Sequence, residues 1–320
     1  MKGKKWIAAL MAAVLGVSML AGCGTKEKTK INVAALNGPT GMGLVQLMDK
    51  MDQGKAEEDY TFTLAGAPDE LTGKLTSGEV DIAALPTNLA ATLYNKTEGK
   101  IKLIALNTLG TMYVVENGDM VQSIKDLDGK EVVSAGQGST PQYTLDYLLA
   151  QNGVKANVTY KSEHAEVASA LLSGKSKIAV LPEPFVTNVM AKNKDLRVAV
   201  DLTKAWDETN NGSQLVMGCL VARTEFLEQH PDAVQTFLKE YKESVDYVNN
   251  NTEEAAALVA NYKILPSAEV AKSAIPKCNI VCITGANMKT TIGGYYEVLF
   301  NAEAKSVGGK LPDDAFYYAK

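Results

Sequence analysis

Two stretches of the chain share one pattern of hydrophobic and polar positions at a constant offset of 96 residues. Residues 75–86, LTSGEVDIAALP, and residues 171–182, LLSGKSKIAVLP, are identical at seven of twelve positions. Each stretch begins as the end of a helix, passes a Ser-Gly pair that stops the helix, and continues as a short apolar run closed by proline, which is typical of a buried strand. The repeat predicts two structurally equivalent halves.

A weaker echo precedes each of these stretches. Residues 32–48, NVAALNGPTGMGLVQLM, and residues 132–149, VVSAGQGSTPQYTLDYLL, both predict a strand, a Gly-rich turn and a helix. Strands that alternate with helices imply an α/β fold with mainly parallel sheets covered on both faces. Because ligands of such sheets bind beyond the carboxyl ends of the strands, two lobes predict a site in the cleft between them.

The second lobe is predicted to be inserted into the first. Two apolar runs, residues 102–115 and 214–223, are interpreted as the segments that cross between the lobes. Long amphipathic helices follow and should complete the first lobe. Their apolar positions include Val234, Phe237, Leu238, Tyr241, Val245 and Val248. The predicted division is residues 31–115 with 219–320 for lobe 1, and residues 116–218 for lobe 2.

The first 22 residues have the pattern of a secretory signal peptide, with three lysines before an apolar stretch that is short for a membrane span. The sequence LAGC at residues 20–23 resembles the lipobox of bacterial lipoproteins, in which the cysteine carries the lipid. This predicts lipidation of Cys23 and a polar tether over residues 23–30 at the outer face of the cell membrane. The alternative is a buried apolar helix that ends at Gly22 and precedes an ordinary cysteine.

Charge and cysteine content narrow the function classes. The full chain has 32 basic and 37 acidic residues, and removal of the three leader lysines leaves a net charge of about −8. This negative charge argues against nucleic acid as a partner. The other cysteines are Cys219, Cys278 and Cys282; buried free thiols are the favoured interpretation, and a bridge from Cys219 to either of the others stays open. Neither their spacing nor the two histidines suggests a metal site.

Three turns at predicted strand ends share one design. In residues 38–43 (GPTGMG), 85–88 (LPTN) and 136–141 (GQGSTP), a Thr or Ser occupies the expected N-cap, and a proline suits the first helical position in the third turn. Three converging helix N-termini would favour an anion without help from arginine, of which the chain has only two, Arg197 and Arg223. Good N-caps without a ligand role are the alternative.

Two other strand ends carry ionisable residues. Ser162, Glu163 and His164 follow a predicted strand of the second lobe, although starting a helix is the favoured interpretation of His164. Glu183 lies in the PEPF turn that ends the repeated strand, where it is suited to accept hydrogen bonds from a ligand amine, to clamp the opposite lobe, or to remain an exposed turn carboxylate. The glycine order excludes a dinucleotide fingerprint, and no P-loop or nucleophile elbow is present.

These motifs together resemble a known family. The lipobox, GPTGMG, SGEVDIAALP, DLDGKEV with GQGSTPQYTL, and VLPEPF are similar to the solute-binding lipoproteins of ATP-driven importers. The greatest similarity is to the group that serves nitrate, sulfonates, taurine and thiamin-precursor pyrimidines, over most of residues 31–245. The resemblance implies the type II periplasmic-binding fold and ligand contacts from the turns. The residues so implied are Thr40, Gly41, Met42, Pro86, Thr87, Asn88, Ser139, Thr140 and Glu183.

The resemblance also implies a mechanism and partners. A small polar ligand would close the two lobes and be delivered to a permease and ATPase of the ABC type, by a monomer that needs no cofactor, no metal and no catalysis. Candidate residues added from the pattern are Gln137, Ser162 and His164. In related turns an aromatic residue precedes the glutamate, whereas Pro182 does here. The alternatives are a ligand-sensing or adhesion lipoprotein on the same fold and an enzyme related to pyrimidine synthases. An oxyanion, a sulfonate and a polar heterocycle suit the cleft equally well.

Overall fold

A computed structural model of the protein describes residues 27–319. The predicted signal peptide, Cys23 and the start of the predicted tether lie outside these residues. The strands form one six-stranded and one five-stranded sheet. The first has the order β11-β4-β10-β3-β1-β2, with β1 (Lys30–Leu36), β2 (Asp59–Ala65), β3 (Ile82–Pro86), β4 (Ile101–Leu109), β10 (Val216–Arg223) and β11 (Ile280–Ile283). The second has the order β7-β6-β8-β5-β9, with β5 (Met112–Asn117), β6 (Glu131–Ala135), β7 (Asn157–Lys161), β8 (Ile178–Pro182) and β9 (Leu196–Asp201).

Thirteen α-helices cover the sheets over the described residues. They are α1 (Pro39–Met42), α2 (Val45–Asp52), α3 (Pro68–Ser77), α4 (Thr87–Lys96), α5 (Thr140–Gln151), α6 (His164–Leu172), α7 (Phe185–Lys192), α8 (Leu202–Asp207), α9 (Thr224–Gln229), α10 (Pro231–Asn250), α11 (Thr252–Asn261), α12 (Ala268–Ala274) and α13 (Asn287–Ala302). Short 3-10 helices occupy 124–127, 275–277, 304–307 and 314–316. Between residues 27 and 319, no helix combines the length and the apolar content needed to span a bilayer.

The two sheets repeat one arrangement, which confirms the predicted α/β class with two equivalent halves. Three parallel strands, β2-β1-β3 in the first sheet and β7-β6-β8 in the second, lie beside one strand that arrives from the other lobe. That strand, β10 or β5, runs antiparallel to both neighbours. The sheets are therefore more mixed than the strand-helix alternation alone predicts. The matching strands β3 and β8 are buried along nearly their whole length, as continuous apolar runs require.

The chain crosses between the sheets in two places. It leaves the first sheet after Leu109 and enters the second at Met112, so the first crossing consists of Gly110 and Thr111. It returns between α8 and β10. Residues 112–115 thus pair within the second sheet and residues 216–218 within the first, which differs by a few residues from the boundaries expected at 115 and 218. The apolar run is continuous through both β4 and β5, so hydrophobicity gave no mark of the crossing.

Of the three hydrophobic clusters among the described residues, one contains residues of both lobes, and α13 contributes to it. On α13, the ring of Tyr295 meets Trp206 of α8 edge-on with 5.3 Å between centroids. Trp206 is fully buried and also packs against Tyr147 of α5, at 4.9 Å. The adjacent Tyr296 donates its hydroxyl hydrogen bond to the carbonyl of Thr87 in the first lobe, at 3.0 Å. The C-terminal region therefore contacts both lobes instead of only completing the first.

The amphipathic pattern predicted for α10 is correct, since its apolar positions are buried against the first sheet. These positions are Val234, Phe237, Leu238, Tyr241, Val245 and Val248. Ser244 on the same helix donates to the carbonyl of Gly43 at 2.7 Å, which attaches α10 to the turn that follows β1. The three cysteines are free thiols; Cys219 and Cys278 are buried and Cys282 is partly buried, so the disulfide left open by the sequence is absent.

Candidate functional site

The turns that end the two repeated strands lie against the two crossings. After β3, the Thr87 hydroxyl donates to the carbonyl of Val216, at 2.7 Å, where the second crossing enters β10. After β8, the backbone N–H of Glu183 donates to the carbonyl of Thr111 in the first crossing, at 2.9 Å. Thr87 and Glu183 occupy equivalent positions of the repeat and are 0% and 2% exposed. The repeat therefore brings one turn of each lobe to the point where the lobes join.

Two of the predicted site residues meet across the lobes. The hydroxyl of Thr140, at the first position of α5, donates to Oδ1 of Asn88 in α4, at 3.2 Å. Thr140 is 4% exposed and Asn88 is partly buried. The buried hydroxyls of Thr144 and Tyr295 lie beside Thr140, so that three hydroxyl groups of the two lobes are close together. This polar contact places the second and third turns at one interface between the lobes.

The first turn is built differently from the prediction. Gly38 is the N-cap of α1, with φ of 124°, and Pro39 follows it, so Thr40 is inside a four-residue helix and not its cap. The Thr40 hydroxyl donates back to the carbonyl of Leu36 at 3.3 Å. A Cβ on Gly41 would lie 2.7 Å from that same carbonyl oxygen, so the backbone approach needs glycine. The expected anion site at a full helix N-terminus is therefore not formed here.

Met42 is fully buried in the core of the first lobe. Its side chain packs behind the turn, which places it among the structural residues and not at a surface that a ligand reaches. Met42 was predicted as a site residue because the resemblance implied ligand contacts from the GPTGMG turn as a whole. Its spacing from the later apolar residues of α2 is the pattern of a core position.

The third turn places its polar side chains near the surface. Ser139 is the N-cap of α5, yet its hydroxyl donates to the carbonyl of Gly136, at 2.7 Å, instead of capping a helical N–H. Gln137 is exposed, and Pro141 removes one donor from the first turn of α5. Thr140 is the residue of this turn that contacts the other lobe.

His164 and Ser162 lie at the end of β7, with different degrees of burial. Ser162 is exposed, and its N–H donates to Glu166 at 3.0 Å. The ring of His164 packs on Phe185 of α7, with 5.6 Å between centroids, and its Nδ1 is buried without a partner among the described residues. Burial lowers the pKa of His164 from 6.5 to about 4, so the ring is neutral at physiological pH.

Glu183 is buried, which excludes the alternative of an exposed turn carboxylate. Its Oε2 accepts from the N–H of Thr187 in the first turn of α7, at 3.1 Å, while Oε1 has no partner in residues 27–319. Burial raises the pKa of Glu183; its bonds to Thr187 and the charge of Lys277 oppose that rise. A buried carboxylate oxygen without a partner is costly, and such atoms in native proteins commonly await a ligand or water.

Sequence reasoning missed Asn107 and Gly218, which lie beside the first turn. Asn107 is fully buried near the end of β4, where its side chain lies beside the hydroxyls of Thr108 and Tyr241. A Cβ on Gly218 would lie 2.6 Å from Asn107 Oδ1 and 2.8 Å from Thr40 Cγ2. Glycine therefore lets three strands and a turn pack at the crossing. An asparagine inside the apolar run KLIALNTLG was the signal that pointed to this position.

Both arginines are committed to ion pairs remote from the crossings. Arg197 pairs with Glu116 near the far end of β5, and Arg223 pairs with Asp81 at the far end of β10, each at 2.7 Å. Since a strand rises about 3.3 Å per residue, the length of β10 puts Arg223 roughly 20 Å from the crossing. Arg223 also lines a surface cavity of about 790 Å³ with loops of the first lobe. That cavity is at the wrong end of the sheet for a ligand held between the lobes.

Within residues 27–319, no group of three His, Cys, Asp or Glu side chains is arranged to bind a metal ion. Among the ionisable groups near the lobe junction are Glu183, Lys277, Cys278 and Tyr113, and His164 lies beside the neighbouring turn.

Comparison with known proteins identifies the family. The family model described as menaquinone biosynthesis matches residues 41–276. A structure of an ABC transporter protein from Parabacteroides distasonis superposes with a TM-score of 0.78 at 26% identity, covering 92% of this chain and 100% of that one. The periplasmic aliphatic sulphonate-binding protein of Escherichia coli superposes with a TM-score of 0.70 at 16% identity, covering 89% and 96%.

A Brucella abortus protein, named as a binding protein without a stated ligand, is 22% identical over 200 residues. The match covers 60% of this chain and 61% of that relative. The structural comparisons show the type II periplasmic-binding fold for this chain, as the sequence predicted.

Proposed function

Because the chain belongs to the family whose model is described as menaquinone biosynthesis, and has the type II periplasmic-binding fold, we propose that it is an extracytoplasmic solute-binding protein of an ABC importer. It captures a small polar solute between its lobes and delivers it to a permease and its ATPase. The observation that carries this proposal is the hydrogen bond from Thr140 to Asn88, which joins the lobes beside the buried hydroxyls of Thr144 and Tyr295.

The mechanism follows from two states of the lobes. Each lobe pivots on the two crossings, and contacts from both lobes favour the closed form. A ligand shifts this equilibrium only by its differential affinity for the closed form. Closure brings surfaces of both lobes into the one arrangement that a permease recognises. In this proposal the two lobes hold the solute, and residues 23–30 tether them to the membrane. The protein is a monomer, and lipid on Cys23 keeps it at the outer face of the membrane.

The test begins with protein purified from the membranes of its own organism. Native mass spectrometry should detect a small-molecule mass shift, and small-angle scattering should show a more compact particle with the ligand than after its removal. Thr140→Val should weaken closure, whereas Thr40→Val should have a smaller effect because the Thr40 hydroxyl is bonded to Leu36 within its own turn. A particle whose dimensions never respond to the recovered ligand would refute the proposal.

Membrane attachment has a separate test. Metabolic labelling with palmitate should label the wild type and not Cys23→Ser. Two lipid chains anchor a protein firmly in the membrane, and because the variant would carry neither chain, it should be released from the membrane fraction. Equal labelling of both would contradict lipidation at Cys23.

The family description favours one other candidate, an enzyme that acts on a cleft-bound substrate. Buried Glu183 and neutral His164 would then be the acid-base groups. Recovery of the bound solute chemically unchanged after prolonged incubation supports the binding protein, and its conversion supports the enzyme. A permease gene beside this one separates transport from ligand sensing.

A further inference from the structure

A segment of the C-terminal region lies against both crossings between the lobes. Resting on the proposed function, in which the lobes separate to admit a solute, we propose that residues 277–294 form a brace that binds both crossings and opposes separation of the lobes. The brace consists of the turn before β11, β11 itself, the loop after it and the first half of α13.

The first crossing is bound to the brace by Asn279. The N–H of Leu109 donates to the carbonyl of Asn279, at 3.0 Å, and the Asn279 side chain donates to the carbonyl of Gly110. Asn279 has a φ of 44°, a left-handed conformation that asparagine adopts more readily than most residues. The brace also contacts lobe 2, because the Tyr113 hydroxyl of β5 donates to the carbonyl of Lys277, at 3.4 Å. A change of backbone conformation at Gly110 would therefore disturb these bonds.

The second crossing is bound to the brace through α13. The N–H of Gln214 donates to the carbonyl of Thr291, at 2.9 Å. A Cβ on Gly294 would lie 3.0 Å from the carbonyl oxygen of Asn211, so the helix approaches the backbone of the crossing closely. The Asn211 side chain in turn donates to the Tyr147 hydroxyl of lobe 2, at 3.2 Å. The second crossing is thus held between the brace and lobe 2.

Two adjacent glycines in α13 separate packing from helix propensity. Glycine is less favourable than alanine inside a helix, so a glycine there often has a packing reason. Gly294 has one, since the missing Cβ leaves room for the Asn211 carbonyl and the Ser213 side chain. At Gly293 a Cβ would have no described atom within 4 Å. The second crossing therefore depends on the absence of a side chain at Gly294 and not at Gly293.

The brace couples the two crossings because one continuous segment contacts both. Its first part belongs to the sheet of lobe 1, where Ile280 pairs with Thr108 of β4. Its second part includes Ile292, in the hydrophobic cluster that contains side chains of both lobes. When lobe 2 moves away from lobe 1, both crossings change conformation together. Weakening the brace at one crossing therefore raises the population of an open state in which the amide protons at both crossings exchange with solvent.

Amide hydrogen exchange of the unliganded protein tests this coupling. Gly294→Ala displaces α13 from the second crossing. Asn279→Gly removes the side-chain bond to the first crossing, while glycine keeps the left-handed backbone. Each change should accelerate exchange at the opposite crossing about fivefold, at the Leu109 N–H for Gly294→Ala and at the Gln214 N–H for Asn279→Gly. A purely local effect of either substitution would not reach the opposite crossing.

Each variant has a matched control. Gly293→Ala gains the same helix propensity as Gly294→Ala without a new contact. Glu98→Gly replaces another residue of positive φ, 54°, in an exposed turn of lobe 1. Thr224→Val removes the hydroxyl bond to the Gly99 carbonyl, which lies at the far end of β10, and so lowers stability away from the crossings. All three controls should keep wild-type exchange at both amides.

The outcomes decide the proposal without a solute. Wild-type exchange at the opposite crossing in either brace variant would overturn a brace that couples the two crossings. Equal acceleration in Thr224→Val would also overturn it, because the amides would then exchange by loss of overall stability. If Gly294→Ala does not fold, Asn279→Gly alone gives the decision.

Small-angle scattering separates the brace from solute capture. Both brace variants should be more extended than the wild type in the absence of solute, and dimensions equal to those of the wild type would overturn the brace. Solute capture is tested on the wild type alone. It fails if the solute recovered from the native membranes does not compact the protein, and that failure leaves the exchange results of the brace variants unchanged.

Discussion

At the scale of single residues, close packing at the crossings depends on positions that lack a side chain. Gly110 is the clearest case in the first crossing, where a Cβ would lie 2.1 Å from Thr203 Oγ1. Gly218 has the same role at the second crossing, between Asn107 and Thr40. Added atoms in such well-packed places force side chains or backbone to shift.

Gly218→Ala should therefore destabilise the protein by about 1–3 kcal/mol, measured by urea unfolding. The matched control is Gly73→Ala in α3, where a Cβ meets no atom within 4 Å. Removing backbone freedom from the unfolded chain and raising helix propensity should make that variant more stable, by about 0.4–1 kcal/mol. A Gly218→Ala protein as stable as the wild type would show that the crossing relaxes freely.

His164 gives a prediction about pH. Its pKa falls from 6.5 in the unfolded chain to about 4 in the folded protein, because burial disfavours the charged ring. Between these pH values the unfolded chain binds a proton that the folded protein does not, so lowering the pH through this range reduces the free energy of unfolding. The contribution present above pH 6.5 is about 3 kcal/mol and is lost by about pH 4.

Urea titrations of the wild type and His164→Gln over pH 4 to 7 isolate this contribution, since carboxylates titrate in both proteins. The difference in unfolding free energy between the two should change with pH. Parallel curves would mean that His164 is as accessible to protons in the folded state as in the unfolded chain.

The residues most accessible to sequence reasoning were those of the internal repeat. Pro86, Thr87 and Glu183 follow matching strands, so their common location at the lobe junction followed from one alignment. Met42 was assigned to the site because it is adjacent to Thr40, although its apolar side chain satisfies the core. Asn107 was missed because a single polar residue in an apolar strand can have several roles, and the sequence does not show which side chains surround it in the fold.

At the scale of elements, α13 is the helix that pattern analysis described least well. It has a partner in each lobe, and two consecutive tyrosines make different contacts. Tyr296 donates to the carbonyl of Thr87, whereas the hydroxyl of Tyr295 is fully buried beside Thr140 and Thr144. The helical periodicity of apolar residues predicts which face of α13 is buried. It does not show that this face packs against both lobes.

Tyr296→Phe should lower the free energy of unfolding by about 0.5–1.5 kcal/mol, because it removes the hydrogen bond that the Tyr296 hydroxyl donates to the Thr87 carbonyl. Tyr295→Phe should cost less than Tyr296→Phe, because the Tyr295 hydroxyl lies beside Thr140 and Thr144 without full hydrogen-bond geometry. Thermal or urea unfolding of the two variants side by side tests this. The reverse order would assign the structural hydrogen bond to Tyr295.

The crossings show why some element boundaries escaped prediction. Strands β4 and β5 form one apolar run with only Gly110 and Thr111 between them, and both strands are buried in their own sheets. Hydrophobicity is the same on either side of the crossing, so only the pairing partners distinguish the lobes. Pairing between distant strands is not encoded in the local pattern.

At the scale of the whole molecule, two α/β lobes followed from the repeat, while the extent of contact between the lobes did not. One hydrophobic cluster contains side chains of both lobes, so apolar as well as polar groups of the two lobes pack together in this conformation.

The aromatic cluster of Trp206, Tyr147 and Tyr295 has one practical consequence. Trp206 is the only tryptophan outside the predicted leader, and it is buried where helices of both lobes meet. Separation of the lobes would admit water to the indole and move its emission to longer wavelength. Under the proposed function, Trp206 fluorescence would therefore report the separation of the lobes, and stopped-flow measurements would follow ligand binding without an attached dye.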